Sequence, residues 1–248
     1  MKKVFKGLLA AAMMMSLAAC GNGSSSKEKT YVIDTDKTFA PFEMANEKGK
    51  LEGIDMDLIN AIAKDQNIKI QIKSVGFDAV CTALESGECD GVIAGMTIND
   101  ARKKKYDFSD SYFTSSVSLA VKNDSGIKSY ADLKGKTVVA KTSTAGLAFA
   151  QSIKDQYGFK LSVVEESSFM YEKVKSGEAA GLFEDTPVIK YNIKKNLPFT
   201  LPCPEESPNE YGFAVLKGEN KALLKAFNKG LANLKKNGEY DKILNKYI

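Results

Sequence analysis

The 248-residue sequence contains no histidine, no tryptophan and a single arginine, Arg102; every other basic side chain is lysine. Without histidine there is no histidine-based nucleophile triad, no histidine zinc site and no imidazole proton shuttle. Long apolar runs are as scarce: Gly7–Ala19 is one, and no second follows. The lone arginine lies in Gly95-Met96-Thr97-Ile98-Asn99-Asp100-Ala101-Arg102, just past a Gly-x-Thr turn. A guanidinium grips a carboxylate through two parallel hydrogen bonds, which a lysine ammonium cannot do. A lysine-rich genome accounts for the scarcity of arginine, but not for the place of the one that remains.

Lys2, Lys3 and Lys6 precede the Gly7–Ala19 run, which is shorter than the roughly 20 residues a membrane span needs. Residues 1–19 therefore read as a signal peptide. Leu17-Ala18-Ala19-Cys20 resembles the lipobox of bacterial lipoproteins, which implies a lipid on the Cys20 sulfur and an anchor to the outer face of the cell membrane. Gly21–Ser26 has the composition of a flexible tether, taken as residues 20–29. Without the three lysines of the leader the formal charge of +4 falls to +1, so nothing electrostatic points to a nucleic-acid partner. Cys81, Cys89 and Cys203 remain; spacing leaves open whether Cys81 and Cys89 form a local bridge or stay as small buried thiols.

The rest alternates short β-like runs with amphipathic helices. Strands are expected at Tyr31–Ile33, Ile68–Ile72, Gly91–Ala94, Ser118–Val121, Thr137–Ala140, Leu161–Val164, Gly181–Phe183 and Tyr211–Val215. Ile54, Leu58, Ile59 and Ile62 recur at helical spacing, and helices are expected over Phe77–Ser86, Ala145–Gln156, Ser168–Ser176 and Pro187–Asn196. This alternation argues for an α/β protein with mainly parallel sheets. Leu223, Phe227, Leu231 and Leu234 line one face of a late helix that returns to cover an earlier sheet.

Several strand exits carry groups suited to a small dipolar ligand. Such a ligand needs a bidentate cation and N–H groups for its carboxylate, an acid for its ammonium, and apolar walls. Thr97 and Arg102 follow one strand, where ligands of open α/β sheets collect. Lys141 to Ala145 run from a second strand into a helix start, and Glu184 and Asp185 end a third. Asp185 before Thr186-Pro187 is equally a good helix N-cap. Phe39 and Phe77 sit at strand exits beside Pro41 and Gly76 and are candidate walls; Phe42 belongs to the core.

Four stretches together resemble the solute-binding lipoproteins of polar amino-acid ABC importers, glutamine-binding members above all. They are Asp36-x-x-Phe39-x-Pro41-Phe42-Glu43, Gly53-Ile54-Asp55-Met56-Asp57-Leu58, Leu84 through Gly87, Asp90, Gly95 and Thr97 to Arg102, and Phe108-Ser109-Asp110-x-Tyr112. The resemblance implies a two-lobed periplasmic-binding-protein fold of type II that closes like a jaw, without cofactor or metal. Residues 30–111 and 213–248 would form the first lobe and 117–207 the second, with hinges near 112–116 and 208–212. It also implies that Arg102 and Thr97, with backbone near Gly95 and Ala145, hold an α-carboxylate, and that Asp185 holds the α-ammonium. Phe39 and Phe77 would sandwich the side chain, with Asp36 and Lys141 at its polar end. The chain departs from the family pattern at Ala145, where glycine is common, and at Glu184, a variable place. A monomer delivering its cargo to a membrane permease is the implied assembly.

Lys141 would repel a cationic side chain, while Asp36 and Glu184 would repel a second carboxylate and accept from an amide. A carboxamide meets both conditions, so glutamine comes first, then asparagine or glutamate, then basic amino acids. That ranking assumes that Lys141 and Glu184 both face the cleft. Two other readings stand beside it: an extracytoplasmic dehydratase of the same fold using Glu184 as general acid, and a sensor passing the amino acid to a separate receptor. Ser125-Gly126-Ile127-Lys128 matches the Ser-x-x-Lys pattern of penicillin-recognising enzymes, but its serine sits in a turn rather than at a helix start.

Overall fold

The computed structural model describes residues 29–248. The expected signal segment, Cys20 and the tether to residue 28 lie outside the described residues. In chain order come β1 (Thr30–Thr35), β2 (Thr38–Phe39), β3 (Glu43–Ala45), β4 (Leu51–Glu52), α1 (Ile54–Asp65), β5 (Lys69–Ser74), α2 (Phe77–Ser86), β6 (Gly91–Val92), α3 (Asp100–Lys103) and β7 (Tyr106–Phe108). The long strand β8 (Phe113–Lys122) leads to β9 (Thr137–Lys141), α4 (Ala145–Tyr157), β10 (Lys160–Val164), α5 (Ser167–Ser176), β11 (Gly181–Asp185), α6 (Thr186–Lys194) and β12 (Phe199–Thr200). The chain returns along β13 (Glu206–Tyr211) to β14 (Ala214–Leu216), α7 (Lys221–Asn237) and α8 (Glu239–Asn245).

Two lobes result, each with its own sheet. The first sheet runs β5-β1-β6-β14-β7, and the second runs β10-β9-β11-β8-β12 with β13 also on β8. Each has a parallel core of three strands, β5-β1-β6 in one and β10-β9-β11 in the other, extended by antiparallel strands where the chain crosses between lobes. β2, β3 and β4 form a small antiparallel sheet on the first lobe. The crossing segments pair with each other, Phe113 opposite Tyr211 and Thr114 opposite Glu210.

The helical periodicities translate into packing. Ile54, Leu58, Ile59 and Ile62 are all buried in one cluster with Leu223, Phe227, Leu231 and Leu234, so α1 and α7 cover the first sheet together. Gly230 lets them approach closely, because a Cβ there would lie 2.8 Å from Ile62 Cγ2. One expectation is corrected, and one open alternative is decided. The single strand expected over Tyr211–Val215 is two: Tyr211 ends β13 in the second sheet, and Gly212 and Phe213 step across before β14 joins the first. Cys81 and Cys89 are free thiols, as is Cys203.

Candidate functional site

The C-terminal ends of the parallel strands in both lobes face one cleft, the place where loops off an open α/β sheet converge. Asp36, Phe39, Phe77, Ala94, Gly95, Thr97 and Arg102 line it from the first lobe, and Lys141, Thr144, Ala145 and Asp185 from the second. The space left between its walls is about 20 Å3, room for about one water, so the two lobes stand nearly in contact here.

Local structure aims each group. Asn99 caps α3, its Oδ1 accepting the Arg102 N–H at 2.9 Å, and this turns the arginine side chain back over the Thr97 strand exit. Its guanidinium donates to the Thr97 carbonyl at 2.9 Å and, across the cleft, to the Ser143 carbonyl at 2.7 Å. It also lies 5.3 Å from the centre of the Phe77 ring. On the second lobe Thr144 caps α4, accepting from the Leu147 N–H, so that a helix N-terminus with its positive end of the dipole opens on the cleft at Ala145. Gly146 in that first turn lies so close to β11 that a Cβ would stand 2.8 Å from the Phe183 carbonyl oxygen.

Asp185 occupies the N-cap position of α6, yet its side chain makes no capping bond. The carboxylate instead accepts from the Tyr211 hydroxyl, which also bonds Ser115 Oγ at 3.0 Å. Burial pushes its pKa up to about 6, against the opposing pull of the Tyr211 donor and the Arg102 charge. Lys141 and Asp36 form an ion pair between the lobes, with both side chains 2 % exposed. The lysine ammonium also stands 5.8 Å from the Phe39 ring centre and 5.7 Å from that of Phe77. Asp36 in addition accepts the Lys37 N–H at 2.7 Å.

Nine of the ten expected ligand residues thus surround one space: Arg102, Asp185, Thr97, Gly95, Phe39, Phe77, Asp36, Lys141 and Ala145. Glu184 is the exception and is corrected: it is buried on the other face of β11, accepting from the Tyr171 hydroxyl at 3.2 Å, with its pKa pushed up to about 7 by burial and by Asp185. The expected help from Gly95 also changes, since its N–H is already donated to Asp55 Oδ2 at 2.9 Å. Sequence reasoning passed over Thr144, whose place before an expected helix was a capping signal, and the partners Ser143 and Tyr211. Only a long-range contact reveals Tyr211, which lies 26 positions from Asp185.

Residues 31–248 match the family model for bacterial extracellular solute-binding proteins, family 3. The arginine-binding extracellular protein ArtP of Bacillus subtilis is 33% identical over 252 residues, covering 100% of this chain and 98% of its own. An ancestral arginine-binding protein solved with glutamine bound is 39% identical, covers 88% of this chain and 97% of its own, and superposes with a TM-score of 0.81. The second substrate-binding domain of Lactococcus lactis GlnP, solved in an open conformation, is 43% identical over 90% of this chain and 96% of its own, yet its TM-score is 0.65.

Proposed function

The chain belongs to the bacterial extracellular solute-binding proteins, family 3, and from that premise we propose that it captures a free polar L-amino acid, glutamine first, and hands it to an ABC permease. In this reading it acts as a monomer tethered through a lipid on Cys20. Arg102, with Thr97 and the α4 N-terminus at Ala145, takes the α-carboxylate, and Asp185 takes the α-ammonium. The two charges stand on different lobes, so one zwitterion bridges them and stabilises their apposition. The GlnP domain supports a jaw of this kind: higher identity with a lower TM-score is what a rigid-lobe displacement in an open relative produces.

One observation carries the choice of side chain. The buried Lys141–Asp36 pair lies in the cleft with the ammonium 5.8 Å from the Phe39 ring centre and 5.7 Å from that of Phe77. A carboxamide inserted there receives a hydrogen bond from the ammonium and donates one to the carboxylate, leaving the pair neutral as a whole. An arginine or lysine side chain meets the Lys141 charge on the aromatic face it would itself occupy. Without Glu184 in the cleft, the argument rests on Asp36 alone as acceptor, and the dehydratase alternative loses its acid.

A thermal-shift panel of the twenty amino acids tests this, followed by calorimetry on the strongest stabiliser. L-Glutamine is expected to raise the melting temperature most, with arginine and lysine well behind. A larger shift with arginine would overturn the side-chain assignment, and no shift with any amino acid would overturn the ligand class.

A further inference from the structure

Two motifs that carry the family resemblance, Pro41-Phe42-Glu43 and Gly53-Ile54-Asp55, supply no group to the cleft wall. The structure brings them together. Gly53 has φ +135°, and a Cβ there would lie 2.2 Å from the Phe42 carbonyl oxygen, so only glycine lets α1 begin this close to the Phe42 backbone. The N–H groups of Ile54 and Asp55 donate to the carbonyls of Pro41 and Phe42, both at 2.9 Å. The Asp55 and Glu43 carboxyls then meet in the interior of the first lobe, each 0 % exposed.

Asp55 Oδ2 accepts from the Gly95 N–H and from the Tyr112 hydroxyl, both at 2.9 Å. Asp55 Oδ1 and both oxygens of Glu43 have no donor among the described residues. Two ionised carboxylates in contact with three unsatisfied buried oxygens would be prohibitively unfavourable, and the charges facing them do not supply the missing counter-ion. Those charges are Asp36, which adds to the repulsion, and Lys141, whose ammonium is engaged by Asp36. Tyr112 faces both acids and Tyr211, and its hydroxyl is already committed to Asp55.

We infer that Glu43 holds a proton at neutral pH and donates it to Asp55, so that one shared proton fastens the Gly95 floor of the cleft to the Tyr112 end of the crossing strand. Both acids are positioning residues. The arrangement satisfies Asp55 Oδ1, gives Glu43 a partner, and leaves one negative charge with three donors. Burial and the Asp55 and Asp36 charges raise the Glu43 pKa well above its ordinary 4.5, and burial raises that of Asp55 to about 6, in the same sense. Gly95 is where the proton matters for the cleft, because its backbone lies against Phe39: a Cβ there would stand 2.4 Å from the ring.

The inference goes beyond the amino-acid reading, and ligand-free protein tests it whichever ligand the cleft takes. Carbon-13 NMR of labelled glutamate side chains, assigned through bonds, is expected to show the Glu43 carboxyl protonated near pH 7. An ionised Glu43 there would overturn the proposal. Folding stability gives a second reading. Because the folded state keeps a proton that the unfolded chain releases above about 4.5, the Glu43 contribution falls as pH rises from there towards the folded pKa. In Glu43→Gln, whose amide still donates, that fall should be absent; an unchanged pH slope would count against the proton. For positioning, calorimetry with whichever amino acid most stabilises the wild-type protein should show at least a tenfold affinity loss in Glu43→Ala and recovery of most of it in Glu43→Gln. Equal loss in both, or none in Glu43→Ala, would refute the positioning role while leaving the NMR result to stand or fall on its own.

Discussion

Lys141 Nζ and Asp36 Oδ2 meet across the cleft, one from each lobe, with both side chains all but sealed from solvent. Breaking a buried pair from one side normally costs about 3–5 kcal/mol, because the other charge is left without a partner. Here the molecule has a way out that a core residue lacks. Swinging the lobes apart hydrates Asp36, which then keeps its local donors, the Lys37 N–H and the Thr38 hydroxyl. Lys141→Met is therefore expected to fold with nearly the wild-type melting temperature but to shift the ligand-free ensemble towards open forms. Small-angle scattering should show a larger radius of gyration than for wild type; an identical radius would remove the pair from closure.

Asp185 sets an expected pH dependence. Its pKa is pushed up to about 6, and only the ionised form attracts an ammonium. Affinity for a zwitterionic amino acid should be level above pH 7 and fall below about 6, approaching tenfold per pH unit. The ligand-free fold responds in the opposite sense. A carboxyl raised from 3.8 stabilises most at low pH and loses that contribution as pH climbs through about 6. Calorimetry and thermal melts across pH 5–8 should show the opposed slopes, and Asp185→Asn should abolish the affinity step.

How far the sequence revealed this site depends on distance along the chain. Strand-then-turn patterns located Lys141 and Asp185, which end β9 and β11, and Thr97 and Arg102, which lie in the loop and short helix that follow β6. The Glu184 error was avoidable by the same logic. Alternation along a strand puts Leu182 in one core cluster and Phe183 in another, so Glu184 falls on the Leu182 side with Tyr171. Two features lay beyond any local pattern. Glu43 meets Asp55 only once α1 docks on the Phe42 backbone, and Lys141 finds Asp36 across 105 residues and two lobes.

Tyr211 links the crossing strand to Asp185, the proposed ammonium partner. Its ring packs on Phe42 and Phe113 at centroid distances of 5.1 Å and 5.8 Å, contacts that phenylalanine would keep. Tyr211→Phe should therefore preserve the fold and delete only the hydroxyl, with its bonds to Asp185 and to Ser115 Oγ. A hydrogen bond to a charged group contributes about 1.5–3 kcal/mol, which is about a tenfold to hundredfold loss of affinity. Losing that donor also raises the Asp185 pKa further, so the fall in affinity should begin at higher pH than in wild type. Calorimetry at two pH values separates this from a simple packing defect, which would lower affinity equally at both.

Gly146 fixes the position of the α4 N-terminus, the second lobe's part of the proposed carboxylate site. It lies in the first turn of α4, immediately after Ala145, and packs on the β11 backbone. The atoms a Cβ would meet are the Phe183 carbonyl oxygen at 2.8 Å and carbon at 3.1 Å, which belong to a central strand and cannot rotate away as a side chain would. The helix must move instead, carrying Thr144 and Ala145 with it. Gly146→Ala should destabilise the fold by about 1–3 kcal/mol, the usual range for overpacking. It should weaken amino-acid binding tenfold or more, because Arg102 would then close on a displaced Ser143 carbonyl and a displaced helix N-terminus. Denaturant melts and calorimetry read the two effects separately. Wild-type affinity in a destabilised Gly146→Ala protein would show that the α4 N-terminus is packing alone and has no part in holding the ligand.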